Sequence, residues 1–139
     1  MNKINSAIIT PVLAAGSVAS PYFWQVNISQ RLCEKTCVDS MPSFEPRFYV
    51  KSISTVGTGQ YVATIHVEGL VGYTPCNGNV CCTKTQLISQ DFTLPFTAAA
   101  VPTTVTVTAG VAVNTIAGAL CQKCSRNFVS ETPITLTIA

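Results

Sequence analysis

The chain has 139 residues and a formal net charge of +2, with Asp, Glu, Lys and Arg at only 10% of positions against about 25% in ordinary soluble domains. That length suits one domain with a real hydrophobic core, and the scattered cations Lys3, Arg31, Lys35, Arg47, Lys51, Lys84, Lys123 and Arg126 form no basic run, which leaves nucleic-acid binding without an electrostatic footprint. Mean hydropathy is +0.39, yet no stretch of about 20 apolar residues occurs, so no membrane span is expected. A free monomer with so few charges is poorly protected against association, and much of its surface is expected to be covered by neighbouring subunits.

The chain opens on Met1-Asn2-Lys3 and an apolar stretch, Ala7 to Gly16, that imitates a secretory signal. A single Lys, a short apolar core and Pro11 in its middle argue against that reading. Residues 1–20 read instead as an extended N-terminal arm, with Pro11 and Pro21 opposing a helix. Arms of this kind pair with the edge strands of neighbours, so Ile4, Ile8, Ile9, Val12 and Leu13 are the expected assembly contacts. The sequence allows docking on the arm's own sheet as readily as on a neighbour's.

Residues 21–139 read as a single all-β domain, a β-sandwich or small barrel. Phe23–Ser29 is an irregular first strand. Arg47–Ser54 and Gln60–Glu68 form a hairpin around Val56-Gly57-Thr58-Gly59. In the second of these, Tyr61, Ala63, Ile65 and Val67 alternate strictly with Val62, Thr64, His66 and Glu68. A less regular Thr85–Leu94, then Thr103–Thr108 and Val111–Val113 follow, the last two parted by Gly110, and Asn114–Leu120 is assigned one short helical turn. Ile134, Leu136 and Ile138 mark a closing strand. Short strands with Pro and Gly between them suit a sandwich or barrel.

Seven cysteines fall in three groups, each in a loop between expected strands: Cys33 and Cys37, then Cys76, Cys81 and Cys82, then Cys121 and Cys124. Two readings stand side by side, with mostly free thiols as a third. In a reducing compartment, Cys33, Cys37, Cys121 and Cys124 (or two of Cys76, Cys81 and Cys82 in place of the first pair) could hold one structural zinc ion as four thiolates, so the expected cofactor is one Zn or none. In an oxidising compartment the same groups form disulfides, and an odd number leaves at least one thiol free or bridged to another subunit.

Catalytic chemistry has little to draw on. His66 is the one histidine, and the carboxylates Glu34, Asp39, Glu45, Glu68, Asp91 and Glu131 are dispersed along the chain. No G-x-S-x-G, P-loop or dinucleotide fingerprint occurs. His66 reads as a sheet-face residue, and no enzyme activity or small-molecule substrate is expected. Tyr22, Trp24 and Tyr73 are the rings that a secreted or surface carbohydrate- or protein-binding module would use. The opposing reading makes Pro21-Tyr22-Phe23-Trp24 the anchor of the arm to the core.

The Thr/Val alternation of Thr103-Thr104-Val105-Thr106-Val107-Thr108, the arm and the missing catalytic set resemble small auxiliary or decoration proteins of tailed-phage virions. That resemblance implies a structural subunit of a capsid, virion or extracellular surface filament, whose partners are copies of itself or other subunits. A secreted binding module and an adaptor stabilised by a four-thiolate zinc site are the alternatives.

Overall fold

The computed structural model describes residues 7–16, 20–32, 42–73, 84–117 and 127–139. These residues form two antiparallel sheets packed face to face, as in a β-sandwich. The strands are β1 (Ile8–Leu13), β2 (Tyr22–Arg31), β3 (Arg47–Gly57), β4 (Gln60–Tyr73), β5 (Lys84–Thr97), β6 (Val105–Ala109), β7 (Val113–Ala117) and β8 (Asn127–Ile138). The first sheet runs β1-β2-β8-β6, with β7 also paired to β8; the second runs β3-β4-β5.

Alternation builds the core. Tyr61, Ala63, Ile65 and Val67 of β4 turn inward, together with Ile88, Phe92, Leu94 and Phe96 of β5. Val26 and Ile28 of β2 and Phe128, Ile134 and Leu136 of β8 meet them from the other sheet. Each fully buried Val, Leu, Ile or Phe side chain contributes about 1.5–3 kcal/mol relative to an exposed one. The rings of Tyr22, Trp24 and Tyr73 are buried as well, while Phe23 between the first two faces solvent. The aromatic run therefore anchors β2 in the core. A binding surface made of Tyr22, Trp24 and Tyr73 is not what the fold presents.

Three local features shape the sheets. A bulge between Val50 and Ser52 inserts Lys51 as an extra residue in β3 and reverses which side chains face inward beyond it. Phe44 precedes β3 and fills the core against Phe128, ring centres 5.2 Å apart. It fits because Gly69 has no side chain, since a Cβ there would stand 2.6 Å from Phe44 Cε1. The stretch assigned a helical turn from Asn114 is instead β7, which pairs with β8 from Val113↔Glu131 to Ala117↔Asn127. Its Val-Asn-Thr-Ile sequence alternates: Asn114 and Ile116 are half-buried while Val113 and Thr115 are exposed. Cross-strand pairing overrides the weak local signal.

Of the arm, Ile8–Leu13 lies as β1 on the edge of its own sheet, antiparallel to β2 from Ile8↔Ser29 to Leu13↔Trp24. Residues 1–6 are outside the described residues.

Candidate functional site

The outer face of the second sheet carries the one dense group of ionisable side chains among the described residues. Strand register brings it together. Tyr49 of β3, His66 of β4 and Asp91 of β5 stand in one row across the sheet, with Arg47, Glu68 and Ser89 in the next. All six point away from the core because they share the parity opposite to Ile65 and Val67. His66 is the hub. Its Nδ1 is 2.6 Å from Asp91 Oδ1 and its Nε2 is 3.1 Å from Ser89 Oγ, with Glu68 Oε2 at 3.6 Å. Tyr49 covers the imidazole with ring centres 5.1 Å apart.

Lys51 completes the group. The bulge turns it outward, and its Nζ reaches past β4 to Asp91 Oδ2 at 2.7 Å. Asp91 thus takes one donor on each oxygen. The Lys51 hydrogen bond, then that of His66, holds its carboxyl below the usual carboxylate range, and the same pairing raises the Lys51 ammonium. Both stay charged over the neutral range. An ionised Asp91 can only accept, so the proton of a neutral His66 sits on Nδ1, and Nε2 is left to accept from the Ser89 hydroxyl.

The hydrogen-bond order is serine to histidine to carboxylate, which is the order of a nucleophile with its base and orienting group. The setting differs from that of such a nucleophile. Ser89 is exposed on a regular strand, and a groove of about 610 Å³ beside the row meets it at Arg47 and Glu68 rather than at Ser89. That groove is lined by Ser43, Phe44, Glu45, Gly69, Leu70 and Leu87 besides Arg47 and Glu68. Acyl transfer also needs donors aimed at the developing oxyanion. The row ties three strands together at least as readily as it performs chemistry.

A second candidate surface is β1. Of the five arm residues expected to make assembly contacts, Ile8, Val12 and Leu13 are exposed at 68%, 48% and 41%, while Ile9 packs partly on the core. Phe23, exposed at 51%, lies on β2 diagonal to Val12 on the outer face, which Ile8 shares, whereas Leu13 stands opposite Trp24 on the inner face. Ile4 is outside the described residues.

All seven cysteines, Cys33, Cys37, Cys76, Cys81, Cys82, Cys121 and Cys124, are outside the described residues. The described residues that flank their three sequence intervals meet at one end of the sandwich. Arg31 and Ala117 both pair with Asn127, Tyr73 pairs with Lys84, and Gln86 Nε2 donates to the Arg31 carbonyl at 2.9 Å. Ser43 bridges Gly72 at the same end through two backbone hydrogen bonds. Among the described residues no group of three or more His, Cys, Asp or Glu side chains could hold a metal ion.

The sequence isolates His66 but not its partners. Asp91 and Ser89 lie 25 and 23 residues further on, and only the β4–β5 register shows that they are its neighbours. No protein-family model, curated protein or solved structure matches the chain.

Proposed function

We propose that this chain is a non-enzymatic structural subunit of a larger assembly, an auxiliary capsid or virion protein or a surface-filament subunit, acting through its arm and exposed apolar surface. One observation carries the reading: Ile8 and Val12 of the edge strand β1 and Phe23 of the strand beside it are large apolar side chains exposed on the outer face of the sheet, and Leu13 is exposed on the inner face of the same edge. Val12 and Phe23 are diagonal neighbours across the β1–β2 pair, and grouped exposed apolar side chains mark interaction sites more often than scattered ones do. Sparse charge points the same way, because it leaves little to oppose association. The partners are copies of the chain or other subunits, and the setting is a virion or an extracellular surface.

Size exclusion and negative-stain imaging test this. The expected result is particles or filaments that are lost when residues 1–13 are removed. A monodisperse monomer at high concentration, with an arm that can be deleted without effect, would overturn it.

The thiol-rich adaptor is the second reading, and the meeting of Arg31, Tyr73, Lys84, Ala117 and Asn127 at one end favours it. Four thiolates from Cys33, Cys37, Cys121 and Cys124 around one zinc ion, or disulfides among the seven, would join chain segments that start from neighbouring strands. Native mass measured with and without reductant and chelator separates these states. About one zinc per chain supports the adaptor, and a chain with neither metal nor disulfide removes it.

A further inference from the structure

We propose that β1 is an exchangeable strand: in the assembled form, Ala7–Leu13 of one copy occupies the β2 edge and the Gln90 amide of the next copy. This deepens the assembly reading and rests on it.

The docking site is specific, and much of its grip does not depend on core burial. Gln90 of β5 grips the backbone of Ala7 at both atoms: the Ala7 N–H donates to Gln90 Oε1 at 3.0 Å, and Gln90 Nε2 donates to the Ala7 carbonyl at 2.7 Å. A side-chain amide here copies the reciprocal pairing that a strand would offer, and it fixes the register of β1 across the gap between the two sheets. Beyond that clamp, β1 is held by its ladder to β2 and by Ala14 N–H donating to the Phe23 carbonyl at 2.9 Å.

Little apolar burial keeps the strand at home. Ala7 is buried and Ile9 partly so, whereas Ile8, Val12 and Leu13 remain exposed. When the strand moves to an identical site on another copy, the ladder, the clamp and the Ile9 contact are all remade. The balance is then set by concentration and by new contacts, and the exposed side chains of β1 together with Phe23 are what a second copy can cover. Eight residues, Ala14 to Pro21, separate β1 from β2. Fully extended they span about 28 Å, enough to cross to a neighbouring sandwich. Gly16 sits in this connection at φ +83°, with no atom of the described residues within 4 Å of a would-be Cβ.

On the side of the sandwich that carries β1, prolines argue for exchange rather than simple edge addition. β1 and β5 end their sheets, and each carries a proline, Pro11 and Pro95. Proline is accommodated in a ladder where its missing N–H faces away from the partner strand, which here is the free edge. A further strand laid against either edge would meet a position with no donor. The β2 edge beneath β1, from Tyr22 to Arg31, contains no proline.

The test places a benzophenone amino acid at Val12, which lies on the exposed face opposite Gln25 and is 48% exposed. The full-length protein is irradiated in its assembled state, then analysed on a reducing gel and by peptide mass spectrometry. Exchange predicts a covalent ladder in which residue 12 is joined to the β2 peptide around Gln25. Oligomers that yield only monomer bands, with the same peptide joined within one chain, would overturn exchange and leave the assembly reading standing. A ladder joined elsewhere than β2 also overturns exchange. A protein that is monomeric at every concentration overturns both. As a second arm, removal of residues 1–13 should give a monomer that binds a synthetic peptide of residues 7–13; failure to bind it counts against an open β2 site.

Discussion

Gly110 lies flat against the ring of Pro133: its N–H donates to the Pro133 carbonyl at 2.8 Å, and a Cβ added at Gly110 would stand 2.8 Å from Pro133 Cγ. Pro133 is interior to β8, where a missing N–H would ordinarily break a ladder. The break is absorbed on one side. β6 pairs with β8 up to Ala109↔Ile134 and β7 takes over from Val113↔Glu131, so two short strands share one edge and part at the proline.

Gly110→Ala is therefore expected to destabilise the fold by about 1–3 kcal/mol, the usual range for overpacking. Pro133→Ala removes the obstructing ring carbon, so the double variant should lose less than the sum of the two single ones. Urea denaturation of the four proteins reads this directly. Additive losses would show that the contact does not govern the site.

Two core hydroxyls have no partner among the described residues. Thr132 and Ser130 turn inward from β8 with 0% exposure, and no described group hydrogen-bonds to either side-chain oxygen. A buried polar group left unsatisfied costs about 1–3 kcal/mol. Thr132→Val, which exchanges the hydroxyl for a methyl, should raise stability by about 1 kcal/mol, seen as a higher denaturation midpoint. A drop in midpoint would mean that the hydroxyl is satisfied after all, for instance by an internal water.

The Lys51–Asp91–His66 row predicts a pH profile. Asp91 has a depressed folded-state pKa, caused first by the Lys51 hydrogen bond and then by His66. Its contribution is present above the unfolded carboxylate pKa of about 4 and is lost as pH falls through the depressed value. Lys51 is raised by Asp91, so its contribution holds below the unfolded lysine pKa and fades as pH climbs through the raised one. Asp91→Asn should flatten both limbs in a plot of melting temperature against pH, with the wild-type difference greatest between pH 5 and pH 9 on the order of those limits. The pair is exposed, so the effect is modest and shrinks in high salt. Identical profiles for the two proteins would remove the row from the stability of the sheet.

Ser89 gives the sharpest check on the non-enzymatic proposal. Its Oγ has a base at 3.1 Å, yet it stands on an open face. A fluorophosphonate probe should leave Ser89 unmodified, and Ser89→Ala should leave any ester hydrolysis by the preparation unchanged. Stoichiometric labelling of Ser89, abolished by His66→Ala, would make the row a nucleophile site.

What could be read along the chain was local. The alternation Tyr61, Ala63, Ile65, Val67 gave the buried face of β4 without reference to any other strand, because side chains alternate with a period of two. Arg47–Ser54 and the less regular Thr85–Leu94 were legible as strands too, each shorter than the strand it belongs to. The absence of a family match leaves function as a proposal, yet the all-β class needed only this periodicity.

Everything that depends on partners came from the tertiary structure. Asp91 and Ser89 join His66 through the pairing of strands joined by a long connection, and no spacing rule links positions that far apart. Lys51 reaches Asp91 only because a bulge reverses the parity of β3, and a single extra residue leaves no mark in a hydrophobic pattern. β7 is a strand because β8 offers it a ladder; Val113, Thr115 and Ile116 suit that conformation, but five residues are too short a run to declare it without the partner. The sequence by itself determined the all-β class and which face of β4 is apolar, since both follow from chain-local alternation. The tertiary structure alone decided the edge position of the arm, the clamp of Gln90 on Ala7 and the row around His66, since each depends on register between segments distant in the chain.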